Sequence, residues 1–495
     1  MLRSLPTPEP LQMLFNSLEF LLYFPVVVAL YFLLPHRWRW LHLLVASYAF
    51  YMAWEPAYAL LIFASTMVDY LVALRMPEAR GNRRLSLLCV SLAVNLGLLF
   101  SFKYYNLING TFLSLAAVAG IDWPLPESSL LLPVGISFYT FQTLGYTIDV
   151  YRGKLEPERH FGHFALYVSY FPQLVAGPIE RASRLLPQLH AEHAFDIDRV
   201  RSGLRLMMWG LFKKVVIADR LAHLVDTVYA HPDEATGPVV VLSTLCFGYQ
   251  VYCDFSGYSD IAIGAARVMG VDLMKNFDQP HLARSVNAFW SRWHISLISW
   301  FRDYLYIPLG GSRGGPWMRR RNVAIVFLVS GLWHGAAWTF AIWGAINAVY
   351  IVVGDVTSAA RERLAVRTGF DKVPRVRAVW QVVTAVGITY ASFIWFRAPD
   401  VATATHMYGR VATGWGWLAQ PEWWDAWFAR LGMDAGLLGL TLCFVPLSEL
   451  VEYRMRHLDA WEAPWWLRWL GDWSLLVGTL LLGKFTREAF VYFQF

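Results

Sequence analysis

The sequence predicts an all-α, polytopic integral membrane protein, and three observations carry that prediction. Hydrophobic residues make up 57% of the 495 positions and charged residues 16%, where soluble domains carry about a quarter charged. Several runs reach the roughly 20 apolar residues that cross a hydrocarbon core about 30 Å thick. Lys and Arg cluster in short loops between those runs: Arg75, Arg80, Arg83 and Arg84; Arg313 and Arg319 to Arg321; and Arg361 through Arg377. Positive charge held in short loops is the positive-inside pattern. The net charge of +6 therefore reports orientation in a bilayer and does not indicate a nucleic-acid partner.

Taken in order, Leu14 to Leu34 is the first span. Pro25 is tolerable inside a membrane helix, and the lack of a small-residue cleavage site reads as a retained helix. His36 to Arg39 then lies in the cytoplasm, Trp54-Glu-Pro outside and Arg75 to Arg84 inside again, which puts the N-terminus outside. Trp38 and Trp40 beside Arg37 and Arg39 fit an interfacial belt, as do Trp423, Trp424 and Trp427 in a later loop. Ser86 to Phe102 crosses outward. From Leu130 to Ile217 the spans are short and broken by Pro133, Gly135, Pro172, Gly177 and Pro178. Such backbone is allowed at membrane depth only where it is buried in protein or lines a cavity, so re-entrant helices around a central chamber are expected. Apolar patterning resumes from Val239 to Tyr252 and on to Met269. Val323 to Phe340 and Ile342 to Val353 form a hairpin with both ends cytoplasmic. Later spans are Val379 to Phe396, Ala435 to Leu450 and Trp473 to Gly483, for about eleven membrane helices plus re-entrant pieces. Cys89, Cys246, Cys253 and Cys443 sit in apolar segments without metal or disulfide spacing, so no metal site is expected.

Leu332-Trp333-His334-Gly335 is the most informative motif. From Asn322 to Val353, His334 is the one acidic or basic side chain, and an ionisable group at that depth marks a functional site by default. Gly331 and Gly335 allow a helix or a ligand to approach it closely. A neutral imidazole can accept a proton near physiological pH, and a positioned base is worth roughly 10²–10⁴ in rate. The alternative is a packing histidine bonded to a backbone carbonyl. His294 follows Trp290-Ser-Arg-Trp. Over 289–306 the spacing predicts one amphipathic helix, with an aromatic stripe (Phe289, Trp293, Leu297, Trp300, Tyr304) and a polar one (Arg292, Ser296, Ser299, Asp303). That helix would put His294 near Trp290, Ile298 and Phe301, or at a rim of headgroups. Tyr252-Cys-Asp-Phe-Ser-Gly-Tyr-Ser-Asp places Asp254, Ser256, Tyr258 and Asp260 in apolar surroundings. Its carboxylates could position a histidine, receive a substrate hydroxyl or tie helices together. HExxH, Walker and dinucleotide motifs are absent, which counts against a zinc protease and a nucleotide-driven pump.

These segments together resemble the membrane-bound O-acyltransferase family, and within it the bacterial alginate O-acetyltransferase group. The matching stretches are Phe171-Pro-Gln-Leu-Val-Ala-Gly-Pro-Ile-Glu-Arg, Tyr252 to Gly264, Asn287-Ala-Phe-Trp-Ser-Arg-Trp-His-Ile-Ser-Leu, Tyr304-Leu-Tyr-Ile-Pro-Leu-Gly-Gly, Gly331-Leu-Trp-His-Gly and the terminal Tyr492-Phe-Gln-Phe, in the family's order. The resemblance implies a single membrane-embedded domain over 1–495 with its catalytic core at about 130–360, a ring of helices around a thinned centre crossed by a channel. It implies acetyl transfer from a cytoplasmic thioester, acetyl-CoA or an acyl-carrier thioester, with no permanently bound cofactor, to a hydroxyl outside. His334 falls on the family's central histidine and His294 on its second polar position. Asp254, Ser256, Tyr258, Asp260, Trp290, Arg292, Trp293, Arg302, Asp303 and Trp333 are expected to support them. The implied setting is a bacterial inner membrane, with polysaccharide-synthesis machinery and a separate periplasmic SGNH-hydrolase-like subunit as partners and alginate or another cell-surface polysaccharide as acceptor. D-alanyl transfer from a carrier protein, docked on Gly310 to Arg321, is the rival within the family. A non-catalytic transporter is the rival outside it, disfavoured because no matched pair of broken segments appears in two halves.

Overall fold

A computed structural model describes residues 13–175, 177–416, 435–457, 464–485 and 490. The tryptophan loop at 423–427 and the terminal Tyr492-Phe-Gln-Phe motif lie outside the described residues. Regular structure among the described residues is helical. Among the described residues, six helices are long and apolar enough to span a membrane: Pro56–Arg75, Asn82–Ala119, Gly237–Val268, Trp338–Val356, Pro374–Arg397 and Gly436–Arg454. The chain is thus a multi-pass membrane protein, all-helical over its described residues. Other expected spans miss that standard for visible reasons. Leu18–Leu33 has 16 residues, and Gly315–His334 opens with Arg319, Arg320 and Arg321.

The chain forms two compact units. The first comprises 1–207 with 258–274. Ser17 caps Leu18–Leu33, its Oγ accepting the Phe20 N–H at 3.2 Å. Asp69, fully buried on Pro56–Arg75, accepts hydrogen bonds from Ser91 Oγ at 2.6 Å and Asn95 Nδ2 at 2.9 Å. Donors rather than a counter-charge thus satisfy this carboxylate, as burial of a polar group requires. The Gly/Pro-rich stretch is a run of short helices: Ile136–Tyr151, Phe161–Ser169, Phe171–Leu174 and Ala182–His190. Gly135 starts the run at φ 77°, and a Cβ there would lie 2.8 Å from the Leu174 carbonyl oxygen. The freed backbone finds partners inside the protein. The Tyr167 carbonyl accepts from the amides of Gln142 at 2.6 Å and Gln173 at 2.8 Å. The buried Glu180 carboxylate accepts the Met274 N–H. The breaks are therefore buried in protein, as irregular backbone at membrane depth must be.

The second unit comprises 208–257 with 275–495. Its best-packed element is the hairpin of Gly315–His334 and Trp338–Val356. A Cβ on Gly331 would fall 2.3 Å from the Phe340 carbonyl oxygen, and one on Gly344 would fall 2.4 Å from that of Phe327. The two backbones touch without side chains between them, which is how small residues drive helix association in lipid. The long helix Gly237–Val268 contributes its residues up to Gly257 to this unit. Its most apolar window is 83% buried, against 22% for Asn82–Ala119, so polar groups on it must find partners in protein.

Candidate active site

His334 is the last residue of its helix. Gly335 leaves helical geometry at φ −154°, ψ 149°, and a Cβ on it would sit 2.1 Å from the Phe340 ring. The imidazole is walled by Trp333, Trp343 and Phe396, with ring centroids at 5.0, 5.3 and 5.3 Å.

His294 is presented differently, and the single helix expected over 289–306 does not form. Instead Val286–Trp290 and Ile295–Phe301 are separate helices, followed by the wide turn Arg302–Tyr306. His294 lies in the break at φ 44°, ψ 53°, a left-handed conformation unusual for a residue with a Cβ. Tertiary hydrogen bonds replace helical ones here. Asp278 N–H donates to the Arg292 carbonyl at 2.9 Å, and Ile295 N–H donates to the Asn276 carbonyl at 2.8 Å. Asn276 Oδ1 accepts from Ser296 Oγ at 2.6 Å. The continuous helix is thus replaced by two short ones, although the His294 carbonyl still accepts the Ile298 N–H at 3.0 Å. Its ring packs edge-on against Phe255, centroids 4.6 Å apart, and lies 5.8 Å from Trp333.

The two histidines, forty positions apart in sequence, are neighbours at 6.5 Å between ring centroids. Both are buried, at 1% and 5% exposure. Trp290 meets Trp343 edge-on at 5.5 Å, and Trp293 stacks on Phe289 at 5.4 Å. The result is an aromatic enclosure around both imidazoles.

The remaining expected residues divide. Asp254 is tied into an ionic knot: Lys214 Nζ lies 2.8 Å from both Asp254 and Asp219. Lys213 Nζ donates to Ser256 Oγ at 2.8 Å and pairs with Glu452 at 2.9 Å, and Tyr252 OH donates to the same Glu452. Asp254 and Ser256 therefore join helices, one of the roles left open by the sequence. Tyr258 belongs to the first unit, where it packs on Phe15 at 5.6 Å; Asp260 belongs there too. Arg302 pairs with the adjacent Asp303 at 2.8 Å. Arg292 Nη1 donates to the Gln279 carbonyl at 3.4 Å.

Sequence reasoning overlooked Lys213, Lys214, Asp219, Asn276, His281, Glu449 and Glu452. His281 bridges Glu449 Oε1 and Tyr390 OH, each at 2.5 Å. The signal was available in part. Glu449 and Glu452 interrupt an apolar helix one turn apart, and Lys213-Lys214 precede Val-Val-Ile-Ala. Ionisable residues in such runs pair with one another.

The profile of the membrane-bound O-acyltransferase family matches residues 158–395, a stretch that contains both histidines. The chain is 40% identical to a probable alginate O-acetylase of Azotobacter vinelandii, over 80% of this chain and 77% of the relative. The chain belongs to the membrane-bound O-acyltransferase family. This acyltransferase is also 34% identical to a peptidoglycan O-acetyltransferase of Helicobacter pylori, over 79% and 78% of the two chains. It is 30% identical to a teichoic acid D-alanyltransferase of Streptococcus thermophilus, over 46% and 58%.

Proposed function

We propose that this acyltransferase moves an acetyl group from a cytoplasmic thioester to a hydroxyl outside the membrane, for O-acetylation of an exported or cell-surface polysaccharide such as alginate. The observation that carries the reading is the buried His294–His334 pair, 6.5 Å apart in an aromatic enclosure, in a chain 40% identical to a probable alginate O-acetylase. In this mechanism His334 takes the proton of the acceptor hydroxyl as its oxygen attacks the thioester carbonyl. The tetrahedral intermediate then expels the thiolate, which recovers that proton from the imidazolium. His294 orients the donor or donates a hydrogen bond to the developing oxyanion. The donor is acetyl-CoA or an acylated carrier, and Arg313 with Arg319 to Arg321 of the helix Gly315–His334 suits its phosphates.

The acceptor is either the polysaccharide or a serine of a separate periplasmic SGNH-hydrolase-like subunit that passes the acetyl group on. The setting is a bacterial inner membrane, beside the polysaccharide-synthesis machinery, with the helices ringed around a thinned centre. The likeness to a D-alanyltransferase over 46% of the chain supports a second reading, D-alanyl transfer from a carrier protein.

The test uses purified protein in nanodiscs with radiolabelled acetyl-CoA, following thioester cleavage and label transfer in wild type and His334→Ala. Turnover should fall by about 10²–10⁴ in the variant; a variant that keeps more than a tenth of it sinks the base assignment. Wild-type turnover with a charged carrier protein and none with acetyl-CoA would favour the second reading.

A further inference from the structure

The first unit carries its own cluster of imidazoles. His36, Arg37 and Arg39 lie at the start of His36–Met52, His163 lies on Phe161–Ser169, and His190 ends Ala182–His190. All five line one cavity, whose walls also include Trp40 and Leu43. The rings are tightly grouped. His163 stacks on His190 with centroids 4.0 Å apart, His160 meets His163 at 4.6 Å, and Trp40 covers His160 at 4.7 Å. Glu158 supports the cluster from one side, accepting from His190 Nε2 at 2.7 Å.

Arg39 is fixed in place. Its Nη1 donates to the His193 carbonyl at 2.7 Å and its Nε to that of Leu34 at 3.1 Å, with the guanidinium 4.9 Å from the Tyr31 ring. His36 and Arg37 are exposed and stand at the mouth. The guanidiniums of Arg37 and Arg39 are the fixed positive charges of the wall, and a bound anion would be drawn to them.

We infer that this cavity is a binding site for a phosphate group held by Arg37, Arg39, His36 and His163. Guanidinium forks match phosphate oxygens in pairs, and imidazole N–H groups add single donors. Two sources share this chemistry: the headgroup of an anionic phospholipid and the phosphates of a coenzyme A-type nucleotide. The exposed Trp38, 48% accessible, sits beside Arg37 as an interfacial anchor does, which favours the lipid.

The site is tested by binding, which does not depend on acyl transfer. Wild-type protein in phosphatidylcholine nanodiscs is titrated with phosphatidylglycerol, coenzyme A and dephospho-coenzyme A, and bound ligand is read by native mass spectrometry. Saturable binding of phosphatidylglycerol assigns the headgroup. Preference for coenzyme A over its dephospho form assigns the nucleotide phosphate. Either should weaken at least about tenfold in the double variant His36→Ala/Arg37→Ala, a loss matching one or two charge-assisted hydrogen bonds, and should weaken by less in Arg37→Lys, which keeps the charge and loses the fork. No anion preference in wild type, or unchanged affinity in a double variant of normal gel-filtration profile, overturns the inference.

Discussion

His334 and His294 face each other from backbones of opposite character. His334 ends a regular helix whose partner touches it at Gly331 and Gly344, so its position is a product of helix packing. His294 sits left-handed in a break held by hydrogen bonds to the Asn276 carbonyl and from the Asp278 N–H, some twenty positions upstream in the sequence. One histidine is held by close-packed surfaces and the other by a few directional bonds. The lesson is that two neighbouring imidazoles can rest on unequal supports, and each support should fail in its own way.

The comparison breaks most sharply at the chemistry. His334→Ala should lower acyl transfer by about 10²–10⁴ while thermal stability in detergent stays close to wild type. A fall in stability as large as the fall in rate would recast His334 as a packing residue.

Next in size is the ionic knot on the flank of Phe255, the ring that covers His294. Lys214→Ala strands Asp219 and Asp254 in a buried setting. Breaking one partner of a buried pair costs about 3–5 kcal/mol, so the expected result is poor folding yield and a large drop in melting temperature. Lys214→Met combined with Asp219→Asn and Asp254→Asn removes these three charges together and should recover most of the loss. If the single variant is as stable as wild type, the knot is not what braces this part of the Gly237–Val268 helix.

Gly331→Val probes the other support. The new side chain must push against the Phe340 carbonyl oxygen, and overpacking of this kind costs about 1–3 kcal/mol. Melting temperature should fall and transfer should fall with it, since Phe340 also packs against Phe396, which walls His334. These contrasts also explain what the sequence made legible. The membrane class, the Gly/Pro breaks buried in protein and the tight hairpin around His334 rest on local composition, on small residues at close contacts and on hydropathy. The break at His294 does not. A regular aromatic and polar stripe over 289–306 reads as one helix, no glycine or proline interrupts it, and the bonds that override it come from a distant loop. Lys213 was hidden for a related reason, since its partner Glu452 is 239 positions away.

The smallest effect is the most diagnostic because its sign reverses between the two sites. At His294 the left-handed backbone costs a residue with a Cβ roughly 1–2 kcal/mol, and glycine avoids that cost. His294→Gly should therefore be more stable than His294→Ala by about 1 kcal/mol, although both lose the imidazole and should transfer equally poorly. At His334, the last helical residue, glycine has no left-handed backbone to relieve and is worse than alanine by up to the about 0.5–1 kcal/mol of a helix interior. His334→Gly should accordingly melt below His334→Ala. Melting curves of the four variants under one set of conditions decide the matter. The same order at both positions would mean that His294 is not left-handed in the folded protein, and that the stripe over 289–306 is continuous after all.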